Sequence, residues 1–242
     1  MGMLADLRIL YHLALKPVRG ADHAARLESF YAGQAQAYDS FRQRLLKGRD
    51  ELWDALQVPS GGVWVDLGGG TGSNLERFGD RIGMLRKVYL VDLSSSLLEV
   101  ARQRIAARGW TNVETALADA TEFQPPEGQA DVVTFSYSLT MIPDWFAALE
   151  NAQRMLKPGG LVGVVDFYVS RKYPAGGQRR HGWFTRHFWP VWLGSDNVFV
   201  SPDHVPYLHR YFEPLQFREQ RGRVPYLPLA QVPYYLFVGR RR

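Results

Sequence analysis

The stretch Val63-Trp64-Val65-Asp66-Leu67-Gly68-Gly69-Gly70-Thr71-Gly72 decides how this chain folds. Val63-Trp64-Val65 is a short apolar run entered through the turn cluster Pro59-Ser60-Gly61-Gly62, which reads as a buried strand. An acidic residue closes it, glycine then recurs at alternate positions, and helical spacing follows around Leu75 to Gly79. Glycine lets a backbone turn sharply and approach a ligand without Cβ collisions. A strand, a glycine-rich turn and a helix in that order open a parallel α/β sheet, whose ligands bind at the carboxyl ends of the strands. The spacing also discriminates between ligands. A dinucleotide fingerprint G-x-G-x-x-G starting at Gly68 needs glycine at position 73, where this chain has Ser73; Gly68, Gly70 and Gly72 spell G-x-G-x-G instead.

Working outward, the same alternation repeats. Val88 to Val91 is an apolar strand ending at Asp92, and Ser94 to Arg108 reads as a helix with Ser94 as its cap. Val113 to Leu117 precedes Asp119, and Val132 to Ser136 is a fourth strand. Asp144 to Leu156 is a helix stopped by Lys157-Pro158-Gly159-Gly160, after which Leu161 to Phe167 is a fifth strand. The pattern predicts a Rossmann-like, seven-stranded, mostly parallel doubly wound sheet. Residues 217 to 224 and 232 to 239 are expected to form a terminal antiparallel pair at the sheet edge. Residues 1–58 read as an N-terminal helical cap, and 59–242 as the Rossmann-like domain, with an insertion at about 168–212.

Composition narrows the chemistry. The 242 residues are 46% hydrophobic and 22% charged, which suits one large packed domain. With no cysteine there is no disulfide, no thiolate nucleophile and no cysteine-ligated zinc, and the six histidines show no HExxH or comparable spacing, so no metal site is expected. The formal charge of +5 implies attraction to something anionic. Leu4, Leu7, Leu10 and Ala14 share a helical face, but Asp6, Arg8 and Lys16 interrupt them, so neither a spanning helix nor a signal peptide is expected. These features together suit a cytoplasmic protein, peripheral at the inner membrane surface.

The motif set resembles the class I S-adenosylmethionine methyltransferases from about Tyr31 through the terminal strands. By that resemblance Asp66 and the glycine loop (Gly68, Gly69, Gly70, Gly72) hold the amino-acid end of S-adenosyl-L-methionine. Asp92 binds the ribose hydroxyls, Leu93 packs on the base, and Asp119 with Ala120 lines the adenine. Ser136 and Tyr137 follow the fourth strand, and Tyr38-Asp39, with Tyr31, resembles the N-terminal tyrosine motif that closes over the cofactor. Asp92 has a physical case of its own, because a carboxylate at the end of the second strand can accept both ribose hydroxyl protons. Singly, each aspartate also suits a helix cap and each tyrosine suits helix packing.

Between Asp166 and Asp196 there is no acidic residue, while Arg171, Lys172, Arg179, Arg180 and Arg186 lie among Tyr173, Trp183, Phe184, Phe188, Trp189 and Trp192. The mixture suits a membrane-surface lid, nucleic-acid stacking, or an active-site lid with a solvated face; the membrane is the expected partner and nucleic acid is not. Asp166-Phe167-Tyr168, His181-Gly182-Trp183-Phe184, Phe188-Trp189-Pro190 and Asp203-His204-Val205 resemble the methyltransferase component of betaine-lipid synthesis. That resemblance implies trimethylation of the amine of diacylglycerylhomoserine, a lipid headgroup built by a separate aminocarboxypropyl transferase.

Methyl transfer to nitrogen needs an unprotonated lone pair, so a proton must leave first. Tyr137, His181 and His204 are the candidate catalytic residues, and His209 or Arg210 could hold the homoserine carboxylate. Tyr31, Tyr38 and Tyr137 could hold the trimethylated cation by cation-π attraction. Two other readings stay open: a methyltransferase for another lipid amine or a quinone-like acceptor, and a non-catalytic cofactor-binding scaffold.

Overall fold

A computed structural model describes Glu28 and residues 45–195, 197–225 and 227–242. Its strands are β1 (Val63–Leu67), β2 (Lys87–Asp92), β3 (Val113–Leu117), β4 (Ala130–Ser136), β5 (Leu156–Phe167), β6 (Phe212–Val224) and β7 (Leu227–Arg241). They form one sheet in the order β3-β2-β1-β4-β5-β7-β6. The first five run parallel, and β7 runs antiparallel to both β5 and β6. Strand order reverses between β1 and β4, so the crevice at their carboxyl ends is where a ligand belongs. Every residue of β1 is buried, as a central parallel strand covered on both faces requires.

The helices are α1 (Arg49–Ala55), α2 (Ser73–Phe78), α3 (Ser95–Arg108), α4 (Trp145–Met155), α5 (Trp183–Gly194) and α6 (His204–Tyr211). On one face of the sheet Leu52 and Trp53 of α1, Leu75 and Phe78 of α2, and Leu98 of α3 pack with Trp64 and Leu90. Trp64 lies 5.3 Å from Trp53 and 5.2 Å from Phe78, ring centre to ring centre. On the other face Leu149, Ala152 and Met155 of α4 and Leu208 of α6 meet Val65, Val133 and Phe237. Burying each such large side chain stabilises the fold by roughly 1.5–3 kcal/mol, so the two layers together hold the sheet.

Local chemistry sets the helix ends. Ser94 caps α3 by accepting from Leu97 N at 3.3 Å, and Gly109 ends it in a left-handed conformation. Asp144 caps α4, accepting from Ala147 N at 3.1 Å. The described part of residues 1–58 includes α1, which sits in the sheet's own core; the stripe Leu4, Leu7, Leu10 and Ala14, and Tyr31 and Tyr38, lie outside the described residues.

The terminal strands form the expected antiparallel pair at one sheet edge, β7 against β5 and β6 outermost, and both run longer than the sequence pattern predicts. Pro214 and Pro233 break the apolar alternation, yet a register shift near Pro214 accommodates the first and the ladder runs on. Lys157 to Gly160 falls within β5, whose first residue Leu156 pairs with Ala130 before the register shifts.

Candidate cofactor cleft

At the switch point β1 runs into the glycine loop. Gly68 N and Gly69 N donate to Val91 O at 2.8 and 3.1 Å, tying the loop to β2. Gly68 has φ 71°, and a Cβ there would lie 2.4 Å from Cβ of Ser138. At Gly69 a Cβ would meet Leu90 Cγ at 2.7 Å and Asp66 Oδ2 at 2.9 Å. These contacts leave no room for a side chain beneath the loop, which is why its backbone can face the crevice bare.

Asp66 supports this loop from behind. Its carboxylate accepts from Asn74 Nδ2 at 3.0 Å and from Thr134 Oγ1 at 2.7 Å, and Trp64 Nε1 donates to the same Thr134 oxygen at 2.7 Å. Burial raises the Asp66 carboxyl above its usual range, and the bonds from Asn74 and Thr134 oppose that rise. The pairing of β1 with β4 sets Thr134 directly opposite Asp66.

Asp92 ends β2 on the cleft wall. Its Oδ2 accepts from Gly70 N and its Oδ1 from Ser94 N, each at 2.9 Å, so one carboxylate orders both the glycine loop and the entry to α3. Glu28 reaches the same entry, accepting from Ser94 Oγ at 2.9 Å, from Ser96 N at 3.4 Å and from the Ser96 hydroxyl. Across the cleft Asp119 Oδ1 takes the backbone N–H and hydroxyl of Thr121, both at 2.8 Å.

The cleft is lined by Gly68, Gly70, Asp92, Leu93, Asp119 and Ala120 among the residues expected to bind cofactor, and by Tyr137. Asp66, Gly69, Gly72 and Ser136 are not on its wall; they stand behind the loop or in the strand beneath, and the buried Ser136 hydroxyl has no hydrogen-bond partner. Val91, Leu97, Ala118, Thr121, Ser138 and the run Met141-Ile142-Pro143-Asp144 complete the lining, and the sequence pattern singles out none of them as a site residue. Ser138 Oγ donates to Leu67 O at 2.8 Å, a bond across 71 residues that no local motif signals.

The expected proton acceptors are not brought together. Tyr137 borders the cleft with φ 56°, but its hydroxyl donates to Lys47 O at 2.6 Å, and burial with the nearby Asp166 charge pushes it well above the usual phenol range. His181 accepts from Ser170 N through Nδ1 at 3.0 Å, and burial, with Arg221, Arg179 and Arg186 nearby, lowers it to about 4. His204 is fully buried, 4.6 Å from the Trp145 ring, with neither ring nitrogen partnered, and burial lowers it to about 3. Neither histidine lines the cleft, and both are neutral at physiological pH. Nor does either expected carboxylate holder line it: His209 packs 4.7 Å from the Phe217 ring with Nε2 buried, and Arg210 is exposed elsewhere.

His204 carries a measurable consequence. Its folded value lies below the unfolded one of about 6.5, so the unfolded state takes up the proton first as pH falls. Stability is therefore unaffected above about 6.5 and is lost progressively from there toward 3. His204→Leu is expected to gain on the wild type across that window by about 1.4 kcal/mol per pH unit, measured by urea unfolding at neutral and acid pH. Parallel stability curves for the two proteins would contradict a buried neutral imidazole.

The cleft fits an adenosyl sulfonium. Bare backbone at Gly68 and Gly70, a carboxylate at the end of β2, and apolar walls of Leu93 and Leu97 opposite Met141 and Ile142 suit a charged end, a diol and a flat base in turn. Residues 65–160 match the methyltransferase-domain family. The chain is 31% identical over 162 residues to the ubiquinone/menaquinone biosynthesis C-methyltransferase UbiE of Teredinibacter turnerae, covering 64% of this chain and 65% of that one. It is 31% identical over 169 residues to UbiE of Pseudomonas savastanoi pv. phaseolicola, covering 67% and 66%. The chain carries a class I S-adenosylmethionine-dependent methyltransferase domain.

The matched part of the chain spans just under two thirds of those relatives' own length. Its fold is also that of phosphoethanolamine N-methyltransferase 2 of Haemonchus contortus in complex with S-adenosyl-L-methionine, at TM-score 0.67 and 15% identity over 93% of this chain and 61% of that one. Behind the cleft-lining residues of this domain, Asp66, Asn74, Thr134 and Glu28 hold the glycine loop and the entry to α3 in place.

Proposed function

We propose that this protein is an N-methyltransferase that uses S-adenosylmethionine to trimethylate the amine of a membrane lipid, diacylglycerylhomoserine. The observation that carries the reading is the charge of the cleft. Although the chain is +5 overall, the charged residues on the cleft wall are Asp92, Asp119 and Asp144, and no Lys or Arg lines it among the described residues. With Asp92 and Asp119 assigned to the nucleoside, Asp144 is the wall carboxylate left over, and an amine that arrives as ammonium and leaves as trimethylammonium is attracted to it where a neutral acceptor is not.

Bound S-adenosylmethionine supplies an electrophilic methyl group on a positively charged sulfur. Asp92 would accept the ribose hydroxyls, and Leu93, Leu97 and Ile142 would enclose the base and exclude water. Converting the ammonium to trimethylammonium forms three N–C bonds and releases three protons. Tyr137, His181 and His204 hold no proton-accepting atom at the cleft, so those protons pass to water at its mouth, beside the exposed carboxylate of Asp144. Catalysis then rests on positioning and desolvation of the lone pair. The acceptor-side motifs that resemble betaine-lipid methyltransferases support this acceptor.

A second reading, transfer to carbon of a quinone-like acceptor, is favoured by the identity with the UbiE proteins. Purified protein incubated with S-adenosylmethionine and diacylglycerylhomoserine is expected to yield mono-, di- and trimethylated lipid by mass spectrometry. Absence of methylated lipid, with methylation of a demethylated quinone in the same preparation, would replace the first reading by the second.

A further inference from the structure

Among the described residues, helix α5 leaves an aromatic face without a partner. Trp189, Trp192 and Leu193 turn into the core, where they pack with the cluster that contains Phe167, Val169 and Val200. Trp183, Phe184, His187, Phe188 and Val191 occupy the opposite stripe at helical spacing, with Trp183, Phe184 and Val191 exposed by 68%, 66% and 78%. Trp183 stacks on His187 at 4.5 Å and Phe184 on Phe188 at 5.0 Å, so the stripe is ordered by its own ring contacts.

A cationic loop precedes this helix. Ser170 N donates to His181 Nδ1 at 3.0 Å and His181 N to Ser170 Oγ at 2.8 Å, pinning the two ends of residues 171–180 together immediately before α5. In that loop Lys172 and Arg180 sit over the Tyr173 ring at 5.3 and 5.7 Å. Arg171 is paired with Asp203 at 2.7 Å, whereas Lys172, Arg179 and Arg180 are exposed and make no ion pair among the described residues. From residue 167 to 195 the sequence has no Asp or Glu, and the acid that comes near from β6, Glu219, accepts from the backbone N of Arg179 at 2.7 Å and from the Tyr168 hydroxyl at 2.7 Å. No described helix is long and apolar enough to cross a membrane, and an apolar stripe beside exposed cations suits a position in the plane of a membrane interface.

We propose that the exposed face of α5 and the 171–180 loop together dock this protein on the surface of an anionic bilayer, the aromatic stripe entering the acyl boundary and Lys172, Arg179 and Arg180 meeting lipid phosphates. Charge complementarity selects this occupant, because the exposed cations Lys172, Arg179 and Arg180 would meet like charges in a second copy packed face to face, whereas they fit phosphate headgroups above acyl chains. The segment after α5 runs from the helix to the cleft: Val198 N donates to Leu193 O at 3.1 Å, and the exposed Phe199 donates through its backbone N to Thr140 O at 2.7 Å, one residue before the cleft-lining Met141. The lipid acceptor proposed above would thus enter from the layer the protein rests on; the docking itself does not depend on which acceptor is methylated.

Flotation of the full chain with phosphatidylcholine vesicles, with and without phosphatidylglycerol, tests the proposal. The wild type is expected to float with the anionic vesicles and to stay behind with the neutral ones. Phe184→Asp/Val191→Asp is expected to abolish flotation, and Lys172→Glu/Arg180→Glu to weaken vesicle affinity by about tenfold or more. Both variants should bind S-adenosylhomocysteine as the wild type does, which shows them folded. A wild type that ignores anionic vesicles, a Phe184→Asp/Val191→Asp variant that floats like the wild type, or a wild-type dimer dissociated by those same two substitutions without vesicle binding, overturns it. Vesicle binding without any methylated amine lipid would leave the docking surface standing and remove only the acceptor reading.

Discussion

Asp92→Ala is expected to weaken S-adenosylhomocysteine binding by about a hundredfold, because two charge-assisted hydrogen bonds to the ribose would be lost at about 1.5 kcal/mol or more each. The residue has a second task. It holds Gly70 N and Ser94 N at 2.9 Å, and alanine leaves both donors without their carboxylate. Binding loss should therefore come with a fall in thermal stability. Asp92→Asn separates the tasks, since one amide oxygen can keep one backbone bond while the charge is gone. Calorimetric titration gives the affinities and thermal melts give the stability. Affinity within threefold of wild type for Asp92→Ala would mean that the acid at the end of β2 does not hold the nucleoside.

The second large effect is steric. Gly68→Ala is expected to destabilise the fold by about 3 kcal/mol and to abolish cofactor binding, from a left-handed backbone cost of about 1–2 kcal/mol plus overpacking of similar size. The overpacking has a named partner, Ser138 Cβ at 2.4 Å from the new methyl. Gly109→Ala is the internal control, since Gly109 has φ 64° with nothing within 4 Å of the methyl that alanine would add, and it should show the backbone cost alone. Gly68→Ala/Ser138→Gly should recover part of the stability by removing that partner. Urea unfolding of the four proteins measures both contributions, and equal losses at Gly68 and Gly109 would show that the loop yields to the side chain.

Much of the site was legible because its signals are local. A glycine loop must follow its own strand, and an acid that ends a strand is adjacent to that strand in sequence, so Asp66, Asp92 and Asp119 could be placed by pattern. What Asp66 does was not legible. Its partners Asn74 and Thr134 lie 8 and 68 residues away, and only the register of β1 against β4 brings Thr134 to it. The histidines failed for the same reason in reverse. His181 and His204 carry the chemistry of a base, but the fold closes His181 on Ser170 and sinks His204 between Trp145 and Tyr235, where desolvation keeps both neutral.

The amino-acid sequence alone thus determined the strand-and-helix rhythm, the glycine turn, the acidic strand ends and the acid-free aromatic segment, because each is written within one turn or one strand of neighbouring residues. Tertiary structure alone decided that β7 lies inside the sheet, that Asp66 braces the loop from behind, that the charged residues of the otherwise mostly apolar cleft wall are all acidic, and which side of α5 stays uncovered among the described residues. Those outcomes depend on contacts between residues tens of positions apart, whose strength comes from burial and desolvation that no local pattern encodes.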